Sequence, residues 1–514
     1  MTLRQTDLKY KVMKILSIVF TVCLSVIITL SFARKESNNK HINRQLLSVE
    51  GFNPEADKDQ IQPSSANPFY WQYKGKPIML LGGTWQDNLF NHPAGLAGHL
   101  DLLVSVGGNY VRNTMSHRNK GNLFAWERDD GGLFNLDSFN NEYWQRFQNF
   151  LDLCYQRDII VQIEIWDPWD HYENHQSFGG WSHHPFNPAN NINYTPVESG
   201  LPSEINYAPR GEPTDHKFFR TVPALDNNEL VLKYQTAFVD KMLSVSLHYP
   251  NVLYCMNNES GERIEWSDYW ADYLQAQAGK AGIRINIAEM RRNEDVRAKD
   301  HNIVYENPRR YTFLDISQNN AWHGLGQGHY DNIMYVREYI AGQPRPVNNI
   351  KNYGAARHGE EESVARFCRI VFAGCASARF HRPHPLEEPE AHESATDTGL
   401  GLSPRAQAVI RSMRLVTDEL DLITCEPKND LLFGREENEA YLLTDAGKRY
   451  AIYFPQNAGD GTVMLDLADK EGTCQLRWLP VSKGKWQEES LLLQGGEKVK
   501  ITKPDKGHWV ALIQ

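Results

Sequence analysis

From about Pro68 onward, short apolar runs alternate with longer stretches whose apolar positions recur at helical spacing. The runs at 77–82, 109–114, 159–166, 252–257, 284–288, 311–316, 346–350 and 371–380 read as strands. Helical patterns lie between them, at 143–156, 229–247, 266–281 and 361–369. A last helix over 404–420 is announced by Ser403-Pro404, a capping residue followed by a proline. Eight such units predict a (β/α)₈ barrel over residues 67–424. The competing open doubly wound sheet calls for a glycine-rich first turn of dinucleotide-binding type. Leu81-Gly82-Gly83-Thr84 does not match it. After Cys425 the pattern shortens to strands separated by Asp-Ala-Gly and Asp-Lys-Gly turns, which predicts a small all-β sandwich over 425–514. Two long loops, 168–223 and 382–403, follow strands three and eight at the end where barrels build their sites.

The first residues have a different character. Lys9, Lys11 and Lys14 precede an apolar run from Ile15 to Ala33 that ends in Ser31-Phe32-Ala33, the order of a secretory signal cleaved after Ala33. The competing reading is an uncleaved anchor. Residues 34–66 are polar and aperiodic, a linker or disordered lead. The expectation is export with no stable membrane span after cleavage. Six cysteines then remain, none in a Cys-x-x-Cys pair, and their apolar surroundings predict buried thiols.

Composition narrows the partners. Of 514 residues 41% are hydrophobic and 23% charged, so a globular core is assured. Lys and Arg number 54 against 64 Asp and Glu, with no basic block, which argues against a nucleic-acid partner. No phosphate loop and no Gly-x-Ser-x-Gly elbow occurs. His171, His175, His183 and His184 lack His-Glu-x-x-His spacing, so neither a metal nor a cofactor is expected.

The most specific stretch is Asn251-Val-Leu-Tyr-Cys-Met-Asn-Asn-Glu-Ser-Gly261. An apolar strand there ends in Asn258-Glu259, setting a carboxylate among aromatics at a barrel rim, where burial favours its protonated form. The plainer reading is an acid at a helix start, favoured by the helix dipole. Strand two ends in Arg112, and Tyr73-Lys-Gly-Lys-Pro77 forms a hairpin leading into strand one. With Asn258-Glu259 on strand four, these residues resemble the clan A glycoside hydrolases. More narrowly the chain is similar to the apiosidase-like bacterial barrels, which end in a small β-domain of collagen-binding type. The resemblance runs from about Pro68 to Gln514. It implies exported cleavage of a polysaccharide or its oligosaccharides, with Glu259 as acid, Asn258 as substrate ligand and Arg112 positioning the site.

One departure matters. In that clan strand seven carries the nucleophilic Glu about five residues after a Lys/Arg-Pro pair. Here Arg345-Pro346 is followed by Lys351 at that position, with no acid before Glu360. A retaining reaction needs two carboxylates about 5 Å apart, and an inverting one about 6.5–9.5 Å. Asp167, Glu289 and Asp315 at strand ends are candidates for the second carboxylate, as are the loop acids Glu387 and Glu393. The remaining possibility is a degenerate barrel that binds glycan without cutting it. Lys351, Arg379, His381, Arg382 and Arg112 together suggest an electropositive mouth for a uronate or sulfated glycan, or else ion pairs to the acidic loops. Trp166, Trp169 and Trp181, in polar loop context, are expected to stack on sugar rings.

Overall fold

The computed structural model describes residues 59–117, 121–171, 180–205, 216–321, 325–353, 358–383, 399–456 and 459–514. The expected signal and most of the lead, as well as Glu387 and Glu393, lie outside them. Among the described residues no helix is long and apolar enough to cross a membrane.

Eight parallel strands close a barrel: β1 (Leu80–Gly83), β2 (Tyr110–Thr114), β3 (Ile160–Trp166), β4 (Val252–Asn257), β5 (Ile287–Ala288), β6 (Leu314–Asp315), β7 (Val347–Asn352) and β8 (Ser377–Phe380). Each is followed by a helix: α1 (Leu96–Ser105), α2 (Asn141–Tyr155), α3 (Glu229–Ser246), α4 (Ile264–Lys280), α5 (Lys299–Tyr305), α6 (Gln327–Tyr339), α7 (Glu360–Phe372) and α8 (Pro404–Glu419). The ladder runs β5-β4-β3-β2-β1-β8-β7-β6. Across the remaining β5–β6 seam, Phe313 N–H donates to Ile287 O at 3.4 Å and Ile287 N–H to Thr312 Oγ1 at 2.9 Å. The expected (β/α)₈ barrel is therefore present, and each of the eight expected strand regions overlaps a barrel strand. The eighth expected strand, 371–380, is longer than the observed one. The apolar stretch 370–378 is the end of α7, a left-handed Gly374 and the start of β8.

Strand one needs its glycines. A Cβ on Gly82 would collide with the Tyr110 carbonyl of β2, and one on Gly83 with the Gly401 carbonyl. The N-terminal end of the barrel is closed by the hairpin Trp71–Tyr73/Lys76–Ile78, which joins Gln62–Pro63 in a three-stranded sheet. Trp71 packs edge-on against Phe313 and donates to Asn348 Oδ1 at 3.0 Å. Inward positions on β2 and β3 then change from apolar to polar toward the C-terminal end, in steps of two residues. Tyr110 and Ile160 belong to the apolar floor. Above it, Gln162 Oε1 accepts from Tyr110 Oη (2.8 Å) and Asn348 Nδ2 (3.1 Å), and its Nε2 donates to Asp315 at 2.7 Å. Arg112 and Glu164 form the next layer.

The C-terminal strands are β9 (Cys425–Pro427), β10 (Leu432–Phe433), β11 (Tyr441–Asp445), β12 (Tyr450–Phe454), β13 (Thr462–Asp466), β14 (Thr473–Pro480), β15 (Ser490–Gln494), β16 (Lys498–Thr502) and β17 (Trp509–Ile513). They make a six-stranded sheet, β9-β11-β12-β17-β14-β15, and a three-stranded one, β10-β13-β16. Alternation decides what each face covers. Leu442, Ile452 and Ala511 pack toward the small sheet, whereas Tyr441, Leu443 and Tyr453 join the barrel core. Phe372 of α7 meets the Tyr453 ring at 5.5 Å, and His508 Nε2 lies 2.9 Å from Glu361 Oε2. The six cysteines outside the expected signal are free and buried.

Candidate active site

The all-buried strand β4 delivers Asn257, Asn258 and Glu259 to the C-terminal end of the barrel. Asn257 faces outward, donating to Ser267 Oγ on α4 (2.9 Å) and to Glu289 Oε2 (2.8 Å). Asn258 is pinned by its backbone N–H on Trp166 O, 2.8 Å. Glu259 is left-handed, with φ +63°. A glutamate there costs free energy that glycine would not, which is the kind of strain found at functional sites. Its side chain is 17% exposed.

Opposite stands Lys351. The β7–β8 register slips between Asn349 and Asn352, inserting a residue in β7. Such a bulge re-aims side chains, and here Lys351 Nζ reaches Glu259 Oε1 at 2.5 Å and also donates to Asn258 Oδ1. Burial pushes the Glu259 carboxyl up. Lys351, with Arg112 and Gln318 adding to it, more than offsets that and holds the group below its ordinary range.

Beneath this pair lies a paired charged layer. Arg112 grips Glu164 with Nε and Nη2 (2.6 and 2.5 Å), reaches Asp87 Oδ1 with Nη1 (2.5 Å), and donates to Asn258 Oδ1 at 3.0 Å. Asp87 also takes Arg382 Nε at 2.6 Å, with His381 Nδ1 3.7 Å away. Asn258 Nδ2 donates to Asp167 Oδ1 at 3.1 Å. Asp87 and Glu164 were missed in the sequence, although Glu164 occupies an inward position two residues after Gln162.

Several expected residues take other places. Glu289 is not at the mouth: it lies outside the strand ring against Asn257 and α4, with Arg291 Nη1 at 3.4 Å. Burial pushes its carboxyl up to about 7. Asp315 sits one layer below the site, bonded to Ser317 and Gln162, and burial pushes it up to about 6. Arg379 is fully buried, donating to Ile350 O at 3.0 Å and to Thr84 Oγ1, and burial pushes it down to about 10. The expected positive mouth is thus a set of ion pairs, and the pairs are made with Asp87, Glu164 and Glu259. Trp166 and Trp181 do not fit as stacking platforms. Trp166 is buried among Phe218, Phe238, Trp266 and Trp270, and Trp181 against His171 and His184. Trp169 is half-buried, with the Arg292 guanidinium 5.2 Å from its ring centre.

Beside Asp167 opens a small pocket of about 40 Å³, lined by His117, Trp126, Asp170, His171, His184 and Phe186 among others. Its histidines are in ring contact, His171–His184 at 4.3 Å and His117–His184 at 4.8 Å. Burial pushes His171 and His184 well below their ordinary range, so both are neutral. Among the described residues no group of three His, Cys, Asp or Glu is placed to hold a metal ion.

Glu289 carries a pH signature. Its folded pKa is raised above the unfolded value, so its contribution to stability is complete below about pH 4.5 and is lost as pH rises through about 7. Urea unfolding of the wild type is expected to lose about 1–3 kcal/mol more between pH 5 and 8 than that of Glu289→Gln. A difference between the two proteins that does not change with pH would refute this.

No family model matches the chain, and no curated protein matches it in sequence. Solved structures do resemble it. One is a glycoside hydrolase family 5 protein from Bacteroides vulgatus, with a TM-score of 0.58 at 13% identity over 89% of this chain and 94% of that one. Another, described as a glycoside hydrolase, has a TM-score of 0.56 at 12% identity over 90% of this chain and 98% of that one. At such identities the likeness is one of fold.

Proposed function

We propose that this chain is an exported glycoside hydrolase acting on a polysaccharide or its oligosaccharides, with Glu259 as the group that protonates the leaving oxygen. The observation that carries the reading is the placement of Glu259. It is a strained, solvent-reached carboxylate at the C-terminal end of β4, standing over charges that are otherwise paired. Barrels of this kind build their chemistry at that face. The glycoside hydrolases with the same fold support the reaction class. Asn258 and Arg112 are positioning residues in this reading. Both amide atoms of Asn258 are already engaged, and Arg112 is held by two carboxylates. With Lys351 in place of a strand-seven acid, the reaction is read as inverting, with Asp167 as the base that activates water.

The finer readings are an anionic glycan and membership of the apiosidase-like branch. The sandwich is read as structural, since its Trp478 and Trp509 are buried and its large sheet packs on the barrel core. One observation favours a second function, a glycan-binding barrel without turnover: Lys351 pairs with Glu259 and holds it ionised. A screen of neutral and anionic oligosaccharides with wild type and Glu259→Gln separates the two. Cleavage lost in the variant supports the hydrolase. Binding by both proteins without cleavage supports the second reading.

A further inference from the structure

A carboxyl group must hold a proton before it can donate one, yet Glu259 rests against an ammonium. Lys351 Nζ has Glu259 Oε1 at 2.5 Å and donates as well to Asn258 Oδ1. The lysine is 1% exposed and the carboxylate 17%, so solvent reaches the pair from the glutamate side. A buried ammonium stripped of its counter-ion is strongly unfavourable, and sugar hydroxyls accept hydrogen bonds without cancelling charge. A neutral sugar therefore leaves Glu259 paired and ionised. An anion on the substrate supplies what Lys351 needs. Arg382, on the neighbouring strand end, has its Nε on Asp87 and its Nη1 buried with no hydrogen-bond partner among the described residues.

We propose, on the basis of the hydrolase reading, that the substrate carries a uronate carboxylate or sulfate ester next to the scissile bond, and that this anion takes Lys351 from Glu259 on binding. Glu259, released, accepts a proton from solvent. At cleavage that proton passes to the departing glycosidic oxygen as its bond to the anomeric carbon breaks. Water forms the new bond to that carbon and gives its spare proton to Asp167. The groups facing Glu259 are Lys351 from β7, Arg112 from β2, Gln318 after β6 and, through Asn258, Asp167 after β3. Arg112 is fixed by Glu164 and Asp87, which leaves Lys351 as the exchangeable cation. Burial already favours the protonated carboxyl once the lysine charge is cancelled.

The test titrates the full chain with uronate-containing and with sulfated tetrasaccharides, against neutral tetrasaccharides of matching linkage. Calorimetry at pH 7 in two buffers of different ionisation enthalpy reads the protons exchanged. The anionic arm that fits is expected to take up about one proton per sugar bound, and Glu259→Gln is expected to take up none. Its kcat/KM is expected to exceed that of the neutral match by about 100-fold or more, a preference that Lys351→Arg keeps and Lys351→Met loses. The calorimetry needs only wild type and Glu259→Gln, so it remains decisive if Lys351→Met fails to fold. Glu259-dependent cleavage of neutral sugars as fast as anionic ones, or anion binding without proton uptake, overturns the inference and leaves the hydrolase standing. No cleavage of any arm removes both.

Discussion

Arg112→Met is expected to lower the free energy of unfolding by about 3–5 kcal/mol, the cost of removing one partner from a buried ion pair. Glu164 is fully buried, and both of its oxygens receive the Arg112 guanidinium, at 2.6 and 2.5 Å. Without the arginine that charge has neither water nor a cation. Asp87 is hurt less, because Arg382 still reaches it. A loss of this size is a large share of the stability of an ordinary domain. Arg112→Lys is expected to recover little, since an ammonium cannot span both Glu164 oxygens and Asp87 at once. The double variant Arg112→Met/Glu164→Gln is expected to recover more than half, because the stranded charge is gone. Urea unfolding followed by tryptophan fluorescence reads all three. An Arg112→Met unfolding free energy within about 1 kcal/mol of wild type would mean that the charged layer is not what holds the upper barrel together.

Glu259→Gln is expected to reduce turnover by about 10²–10⁴-fold while leaving glycan binding in place, the range for removing a general acid. The substitution keeps the shape and loses the proton. It also leaves Lys351 without its anion, so a modest fall in stability accompanies the loss of activity. Turnover and unfolding measured on the same preparation separate the two effects: a well-folded variant without activity supports the catalytic role. A well-folded variant with undiminished cleavage would remove Glu259 from the chemistry.

Legibility followed local pattern. Most barrel strands read as apolar runs, because strands covered on both faces are near-continuous hydrophobic segments, whereas β7 carries only Val347 and Ile350 among polar residues. Boundaries failed where burial is continuous across two elements, as at 370–378, where only Gly374 marks the break. The hairpin Trp126–Arg128/Phe134–Phe139 was missed because it is short and half-exposed. Strand β15 was missed for a related reason: it is a sheet edge, with Leu491 and Leu492 exposed. At the site, Asn258, Glu259 and Lys351 were legible because strand ends fix where side chains emerge. Asp87 lies in the loop after β1, where no period marks it. Trp166 and Trp181 looked like platforms because their neighbours along the chain are polar. Their neighbours in space include Phe218, Trp266 and Trp270, which come from later segments. The paired state of Arg112 and Arg382 is equally a property of the fold, since Asp87 precedes Arg382 by 295 residues.

The most direct measurement is proton NMR of the anomeric signals during the first minutes of an oligosaccharide digest by the wild-type chain. New reducing ends of inverted configuration are expected, because β7 sets Lys351, and not a carboxylate, against Glu259. New reducing ends of retained configuration, or none from any glycan, would contradict that.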